Sequence, residues 1–409
     1  MVSQFFNGTA LGIFLLQDVI LKKSLNGSDS QILLLSFLIC TAFLVSMYGT
    51  EIVNRSANRS ATIIKMGFTG KIPLLLIPLY DSPVFFIVCI AISAYFDSML
   101  LSSWNIVFKH NYREENRSRL YSFASTIQTI MILATSVLFG YFLDMNGFLF
   151  RFFFPAAGLL GMFMYYSLAK MILLSMDDDR SPSEKITSSF SMKLAGDIIA
   201  LPLRNTVRIF KQNKGFMRFE SYFFLYGMAF MVISPALPIY LVDYIKMDYS
   251  QISFARGLIF NSALILFTPF MGKHHGHGNP TRFCGVIFLI LTLYPLFLLS
   301  ANYASGLHVP FGGAEVIYFA SFIFGIGMSG IGIAWSLSSI YYAPKYQESN
   351  YQSVHITLTG VRGLFSPALG YAVMKIFTIE YTFILSAMLF LAGSLFMLRE
   401  HKLKYVPET

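Results

Sequence analysis

Twelve mostly apolar stretches, each about as long as a bilayer is thick, fill almost the whole chain. They run at about 4–21, 30–51, 60–80, 83–108, 118–143, 149–175, 217–241, 250–272, 282–300, 312–341, 351–376 and 379–398. About 20 apolar residues in helical form cross the hydrocarbon core. A helix also satisfies its own backbone hydrogen bonds there. Of the 409 residues, 55% are hydrophobic and 12% charged. A soluble protein carries about 25% charged residues, so separate water-soluble globular domains are excluded. The expected fold is all-α, a polytopic membrane protein with twelve transmembrane helices. The third stretch is the least regular, because Lys65 and Lys71 interrupt it. The first lacks a basic leader and a small-residue cleavage site, so it reads as a span and not as a signal peptide. Phe and Tyr, 42 and 23 residues, supply lipid-facing bulk and interfacial anchors.

The net charge of +9 would suit nucleic acid, but its distribution points to a membrane face. With both termini inside, 20 of the 30 Lys and Arg fall in inner loops and tails. Five fall outside: Lys22, Lys23, Arg151, Lys246 and Lys375. This excess orients the chain with both termini cytoplasmic, in a cell inner membrane. Lys22 and Lys23 oppose it locally. The longest connection, 177–216, opens on Asp177-Asp-Asp-Arg180-Ser-Pro and becomes basic from Lys193 to Lys214. Leu194, Ile198, Leu201, Val207 and Phe210 give that basic part an apolar face, broken at Pro202, as in an interfacial amphipathic helix. It separates an N-terminal bundle, 1–176, from a C-terminal bundle, 217–409, with six expected helices each.

The two halves repeat one another. Trp104 to Tyr112, Arg119-Leu-Tyr121-Ser and Leu138-Phe-Gly140-Tyr141 match Trp335 to Tyr342, Asn350-Tyr351-Gln-Ser and Ala368-Leu-Gly370-Tyr371, 230 residues apart at the tyrosines. The loops after helices two and eight each hold a Gly ten residues before an Arg, Gly49 to Arg59 and Gly272 to Arg282. A fainter echo is Ser28-Asp-Ser-Gln31 against Asp248-Tyr-Ser-Gln251. Two pseudo-symmetric six-helix bundles follow, and duplicated halves in a membrane chain point to a secondary transporter.

Twelve helices in six-plus-six duplication, a long basic central loop, Gly-to-Arg loops and the proline-bearing segment Ser234-Pro235-Ala-Leu-Pro238 together resemble the major facilitator superfamily. The resemblance covers essentially the whole chain. It implies alternating access to a small-molecule site near the bilayer midplane, no cofactor, protons as the expected driving ion, and a monomer. Asn54, Arg55, Arg59 and Arg282 fall where the family's gating loops lie. Asn54-Arg55 stands one residue late of the family's Asp-Arg, and the C-terminal copy has no acid.

Charges inside helices are the next clue, since each costs about 2.5–3.5 kcal/mol on insertion. Asp97 falls about midway along the expected fourth helix. Ser93 lies one turn before it, and Ser98, Ser102 and Asn105 form a stripe beside it. Asp97 reads either as a protonatable or substrate-binding carboxylate or as a packing carboxylate. Arg362, flanked by Gly360 and Gly363, offers a planar fork for an anionic substrate or a carboxylate partner. His355, seven residues earlier on nearly the same face, suits proton relay, a gate or a helix cap. Arg256 near the outer surface reads as a snorkelling cation, or as an outer gate with Asp18 or Asp243. Gln128 in helix five binds substrate or bonds across helices. Trp335, closing the glycine-rich run from Gly325, completes the candidate set. Lys71 reads as paired or snorkelling.

Other chemistries find little support. His274, His275 and His277 sit in a short glycine-rich turn without an acid or thiol nearby, so no metal site is expected. Cys40, Cys89 and Cys284 form no motif. Gly67-Phe-Thr-Gly70-Lys71 has the wrong spacing for a phosphate loop. Two readings compete with transport: a sensor that keeps the fold without moving solute, and a membrane-embedded lipid-modifying enzyme.

Overall fold

The structure is a computed structural model that describes residues 1–101, 114–175, 206–275, 280–306, 312–344 and 348–402. Among them there is no strand. Among the described residues, nine helices are long and apolar enough to cross a membrane, and two shorter apolar ones, Asp29–Val45 and Pro83–Met99, lie at the second and fourth expected spans. The eleventh expected span is broken in two. Each expected span contains described helix, although residues 102–108 of the fourth lie outside the described residues. The basic connection is described only from residue 206, where 206–212 is helical, so most of its expected amphipathic helix lies outside the described residues.

The chain forms two compact units. The first contains Met1–Leu194 with Asp248–Leu258, and the second contains Ala195–Met247 with Ile259–Thr409. The sequence-based boundary put 248–258 with the C-terminal half.

In the first unit, α1 (Val2–Phe14) and α2 (Gln17–Lys23) make one interrupted span. Next come α3 (Asp29–Thr41), α4 (Ser46–Arg55), α5 (Arg59–Leu76), α6 (Pro83–Met99), α7 (Glu114–Met145) and α8 (Phe150–Ser175). Glycines set the closest approaches. A Cβ on Gly8 or Gly12 would run into the backbone carbonyls of Gln128 or Ile132, so α1 lies tightly on α7. Gly140, singled out by the repeat, packs against Ser253 and the Tyr249 carbonyl. Phe86, Phe139, Phe150 and Phe154 are fully buried, and Phe86 meets Phe154 edge-to-face at 5.1 Å.

In the second unit, α9 (Lys214–Ile233) gives way at Pro235 to a short α10 (Ala236–Ile239) and a wider π-helical turn, Tyr240–Tyr244. Proline has no N–H to continue the helical ladder. The eighth span begins with α11 (Tyr249–Ser253), which belongs to the first unit, and continues as α12 (Phe260–His275). Then follow α13 (Pro280–Gly306), α14 (Gly313–Leu337), α15 (Glu348–Gly363), α16 (Ser366–Ile376) and α17 (Ile379–Lys402). The break between α15 and α16 has a local cause: Pro367 cannot donate to the Gly363 carbonyl one turn back. The intervening N–H groups tighten instead onto Val361 and Arg362 carbonyls at 3.1 and 3.4 Å. Gly370, the counterpart of Gly140, packs on the Val232 backbone.

The faint echo before helices two and eight proves to be a shared backbone device. The Gly27 N–H donates to Leu21 O at 2.7 Å, and Met247 N–H donates to Leu241 O at 2.9 Å. Asn26 and Lys246 both take left-handed φ, 52° and 58°. Gln31 and Gln251 then each fold back to accept the N–H of Ser28 or Asp248, at 2.8 and 2.9 Å, and close a capping box. The spacing is 220 residues at every position.

The outer surface carries large apolar side chains such as Phe152, Leu266 and Ile376, each about 70% exposed. In water such faces would associate; in hydrocarbon they are the solvent-facing side of the fold.

Candidate functional site

In the first unit, three helices bring their polar side chains to one point. Lys71 on α5 is 3% exposed, because Gly161 on α8 leaves room for its stem: a Cβ there would lie 2.7 Å from the lysine Cε. Its Nζ donates to Asp97 Oδ2 at 2.6 Å and to Ser93 Oγ at 2.9 Å, and lies 5.3 Å from the centre of the Phe14 ring. Asp97 Oδ1 accepts from Tyr165 OH on α8 at 2.7 Å. The partners are unequally accessible: Asp97 is 39% exposed while Lys71 is sealed. Lys71 is therefore a paired cation. Helix α6 runs to Met99, where the Met99 carbonyl abuts Gly49, so Asp97 lies in its last turn; residues 102–108 of the expected span lie outside the described residues. Asn105 lies outside the described residues, as do the side chains of Asn54 and Arg55.

A second cluster in the same unit joins Asp18 of α2 to Arg256, which sits in the π-helical turn after α11. Arg256 donates from one nitrogen to both carboxylate oxygens at 2.9 Å. The sequence left Arg256 between snorkelling and pairing; its geometry is a pair with Asp18. The Asp144 carboxylate accepts the Tyr249 and Ser250 N–H groups at 2.8 and 2.9 Å, supplying partners for the first turn of α11.

In the second unit, α9 and α15 share a polar seam. His355 Nδ1 lies 2.9 and 3.0 Å from the two oxygens of Glu220, and the residues are 1% and 2% exposed. Two turns on, Arg362 donates to Phe223 O at 3.2 Å and to Thr359 Oγ1 at 3.0 Å. Its guanidinium crosses the Tyr226 ring at 6.0 Å and fills the space that a side chain at Gly227 would need. Positions 220, 223 and 227 on α9 thus meet 355 and 362 on α15. Trp335 on α14 sets its ring 5.8 Å from the His355 ring, and its carbonyl accepts from Gln352 at 3.1 Å. Sequence analysis found His355, Arg362 and Trp335 but missed Glu220 and Tyr165.

The remaining candidates stand apart. Gln128 is half-buried on α7, where its carbonyl meets Gly8. Arg59 opens α5, and Arg282 is exposed in the first turn of α13. His274 bonds the Phe270 carbonyl and His275 bonds Ser338, at 2.9 and 3.1 Å; His277 lies outside the described residues. Among the described residues no group of three ligands could hold a metal ion, and the three cysteines are buried and unbridged.

A profile of the Major Facilitator Superfamily matches residues 1–354. The chain belongs to the major facilitator superfamily. It is accordingly a multi-pass secondary transporter acting on a small molecule, and not an enzyme. Solved transporters share its fold. A mutant of the nucleoside transporter NupG superposes with a TM-score of 0.62 at 12% identity, over 97% of this chain and 98% of that one. A POT family transporter in complex with 5-aminolevulinic acid gives 0.67 at 15% identity, over 99% and 96%. A peptide transporter POT in complex with sulfate gives 0.71 at 13% identity, over 98% and 94%. At such identities the likeness concerns the fold alone. No curated protein matches the sequence.

Proposed function

We propose that this facilitator is a proton-coupled transporter of a small zwitterionic or anionic metabolite. It works by alternating access as a monomer in the inner membrane, with both termini cytoplasmic. The observation that carries this reading is the unequal pair Lys71–Asp97. The lysine is sealed among helices while the carboxylate keeps an accessible side. A proton arriving at that side can compete with Lys71 for Asp97. Once Asp97 is neutral, the Lys71 charge is uncompensated, and its field favours a substrate carboxylate at the accessible side of Asp97. Proton and anion then bind together better than either alone, which is the thermodynamic content of coupling. Tyr165 and Ser93 hold the two heads in place meanwhile. The POT neighbour's complex with 5-aminolevulinic acid concerns that protein, but it makes zwitterions the first class to try.

The test uses purified protein in proteoliposomes, with labelled 5-aminolevulinic acid, diglycine and uridine as probes, with and without a pH gradient. Gradient-driven accumulation of one zwitterion is expected. Asp97→Asn should abolish accumulation yet retain exchange across the membrane, because the amide resembles the protonated acid. Accumulation by Asp97→Asn equal to wild type removes Asp97 from coupling. Flux that ignores the gradient sinks proton coupling itself.

A further inference from the structure

The seam between α9 and α15 contains a feature that packing does not require. A buried histidine with a purely structural role satisfies both ring nitrogens, as buried polar groups do in general. His355 satisfies one. Nδ1 is shared between the Glu220 oxygens, while Nε2 is buried with no hydrogen-bond partner among the described residues. A carboxylate at Nδ1 favours the tautomer that donates from Nδ1. In that tautomer Nε2 carries a bare lone pair. It lies in an aromatic pocket, with Phe223 at 4.7 Å and Trp335 at 5.8 Å, both edge-to-face to the ring.

We propose that His355 and Glu220 form a proton-binding site in the second unit, in which Glu220 fixes Nδ1–H and Nε2 accepts the proton. The step is a simple association: a solvent-derived proton bonds to the Nε2 lone pair and nothing leaves. Its consequence follows from the neighbouring charges. Arg362 on α15 lies in the same seam; Cys284 on α13 and Tyr342 after α14 are within electrostatic reach of Glu220; Tyr226 on α9 lies under Arg362. Glu400 on α17 is paired with Arg218 at 3.1 Å. With thiol and phenols neutral, Glu220 and Arg362 cancel while the imidazole is neutral. A proton on Nε2 then gives the seam one net positive charge in a water-poor setting. The break at Leu364 and Phe365 separates α15 from α16, so the helix that carries both His355 and Arg362 ends at a joint beside the seam. What the bound proton does for transport rests on the proton-coupled reading above; whether it binds does not.

Trp335 provides the readout. The chain has two tryptophans, so Trp104→Phe leaves Trp335 alone beside His355. A protonated imidazole against an indole quenches its emission. In detergent, Trp335 emission is expected to fall along one ionisation curve as pH is lowered. His355→Gln should lose that response, and Glu220→Gln should move its midpoint. In case His355→Gln fails to fold, 15N-histidine spectra of otherwise intact protein follow the seven histidines directly, and Glu220→Gln then identifies His355 as the one whose midpoint moves. A response that survives in His355→Gln, or a histidine set in which none responds to Glu220→Gln, overturns the site. Neither measurement needs a substrate. Flux without proton drive, with the Trp335 response intact, therefore sinks the coupling reading alone. Proton-driven flux with a flat Trp335 response sinks this site alone.

Discussion

Asp97 and Lys71 are a pair in which the two halves stand to lose different amounts. Removing one member of a buried ion pair strands the other, at about 3–5 kcal/mol when both are fully buried. Here Asp97 keeps an accessible side, so a lone Asp97 can be hydrated, while a lone Lys71 cannot. Asp97→Asn is therefore expected to lower the melting temperature in detergent more than Lys71→Met does. Combining the two should recover much of the loss, since no stranded cation remains. The reverse order would mean that Lys71 contributes mainly through its buried stem. At this scale the sequence revealed charges but not all of their partners. Asp97, His355 and Arg362 stand out because each interrupts an apolar run. Glu220 did not, because it lies three residues into its expected span, where an acid reads as a boundary marker. The signal that could have found it is register: Glu220 and Gly227 on one helix stand seven residues apart, as do His355 and Arg362 on another. Tyr165 passed as one more aromatic in an aromatic-rich helix, and only the fold brings its hydroxyl to Asp97.

Among the elements, α14 shows how far a glycine pattern can be read. Its glycine density pointed to close helix contact, and three of its glycines make it. Gly325 faces the Phe260 carbonyl and Ala263 of α12, while Gly327 and Gly330 face Leu291 and Ile287 of α13. Gly332 faces nothing within 4 Å. Sequence could not tell these apart, because they differ only in what the neighbouring helix presents. The difference is measurable. Gly325→Ala meets backbone that cannot rotate away, and should destabilise strongly. Gly330→Ala meets the flexible tip of Ile287 and should cost less. Gly332→Ala should stabilise by up to about 1 kcal/mol, the helix-propensity difference alone. A series of melting temperatures ranks the three, and equal losses at Gly325 and Gly332 would contradict the packing described. The breaks were legible in part. Pro235 and Pro367 stand in the sequence where α9 and α15 give way, whereas the interruption at Leu15 and Leu16 in the first span has no proline to announce it.

At the scale of the whole molecule, the apolar runs, the duplication and the basic central loop were enough to reach the superfamily, because they are imposed by the bilayer and by the repeat. The substrate was not legible for the same reason: a nucleoside transporter and a peptide transporter share this fold over nearly its whole length. Orientation belongs to this scale, since it rests on the sum of many loop charges. Lys22 and Lys23 were the local exception, and in the first unit they pair with Asp29 and Asp248 at 2.9 and 3.2 Å. With Cys40, Cys89 and Cys284 all buried, single added cysteines can report from a quiet background. Ser183→Cys in the central connection and Glu408→Cys near the C-terminus are expected to resist an impermeant thiol reagent in intact cells and to react once the membrane is opened. Ser305→Cys, at the far end of α13, should react in intact cells. Labelling of Ser183→Cys from outside would invert the orientation. It would also place the 20 inner Lys and Arg on the outer face, against the charge asymmetry that insertion normally enforces.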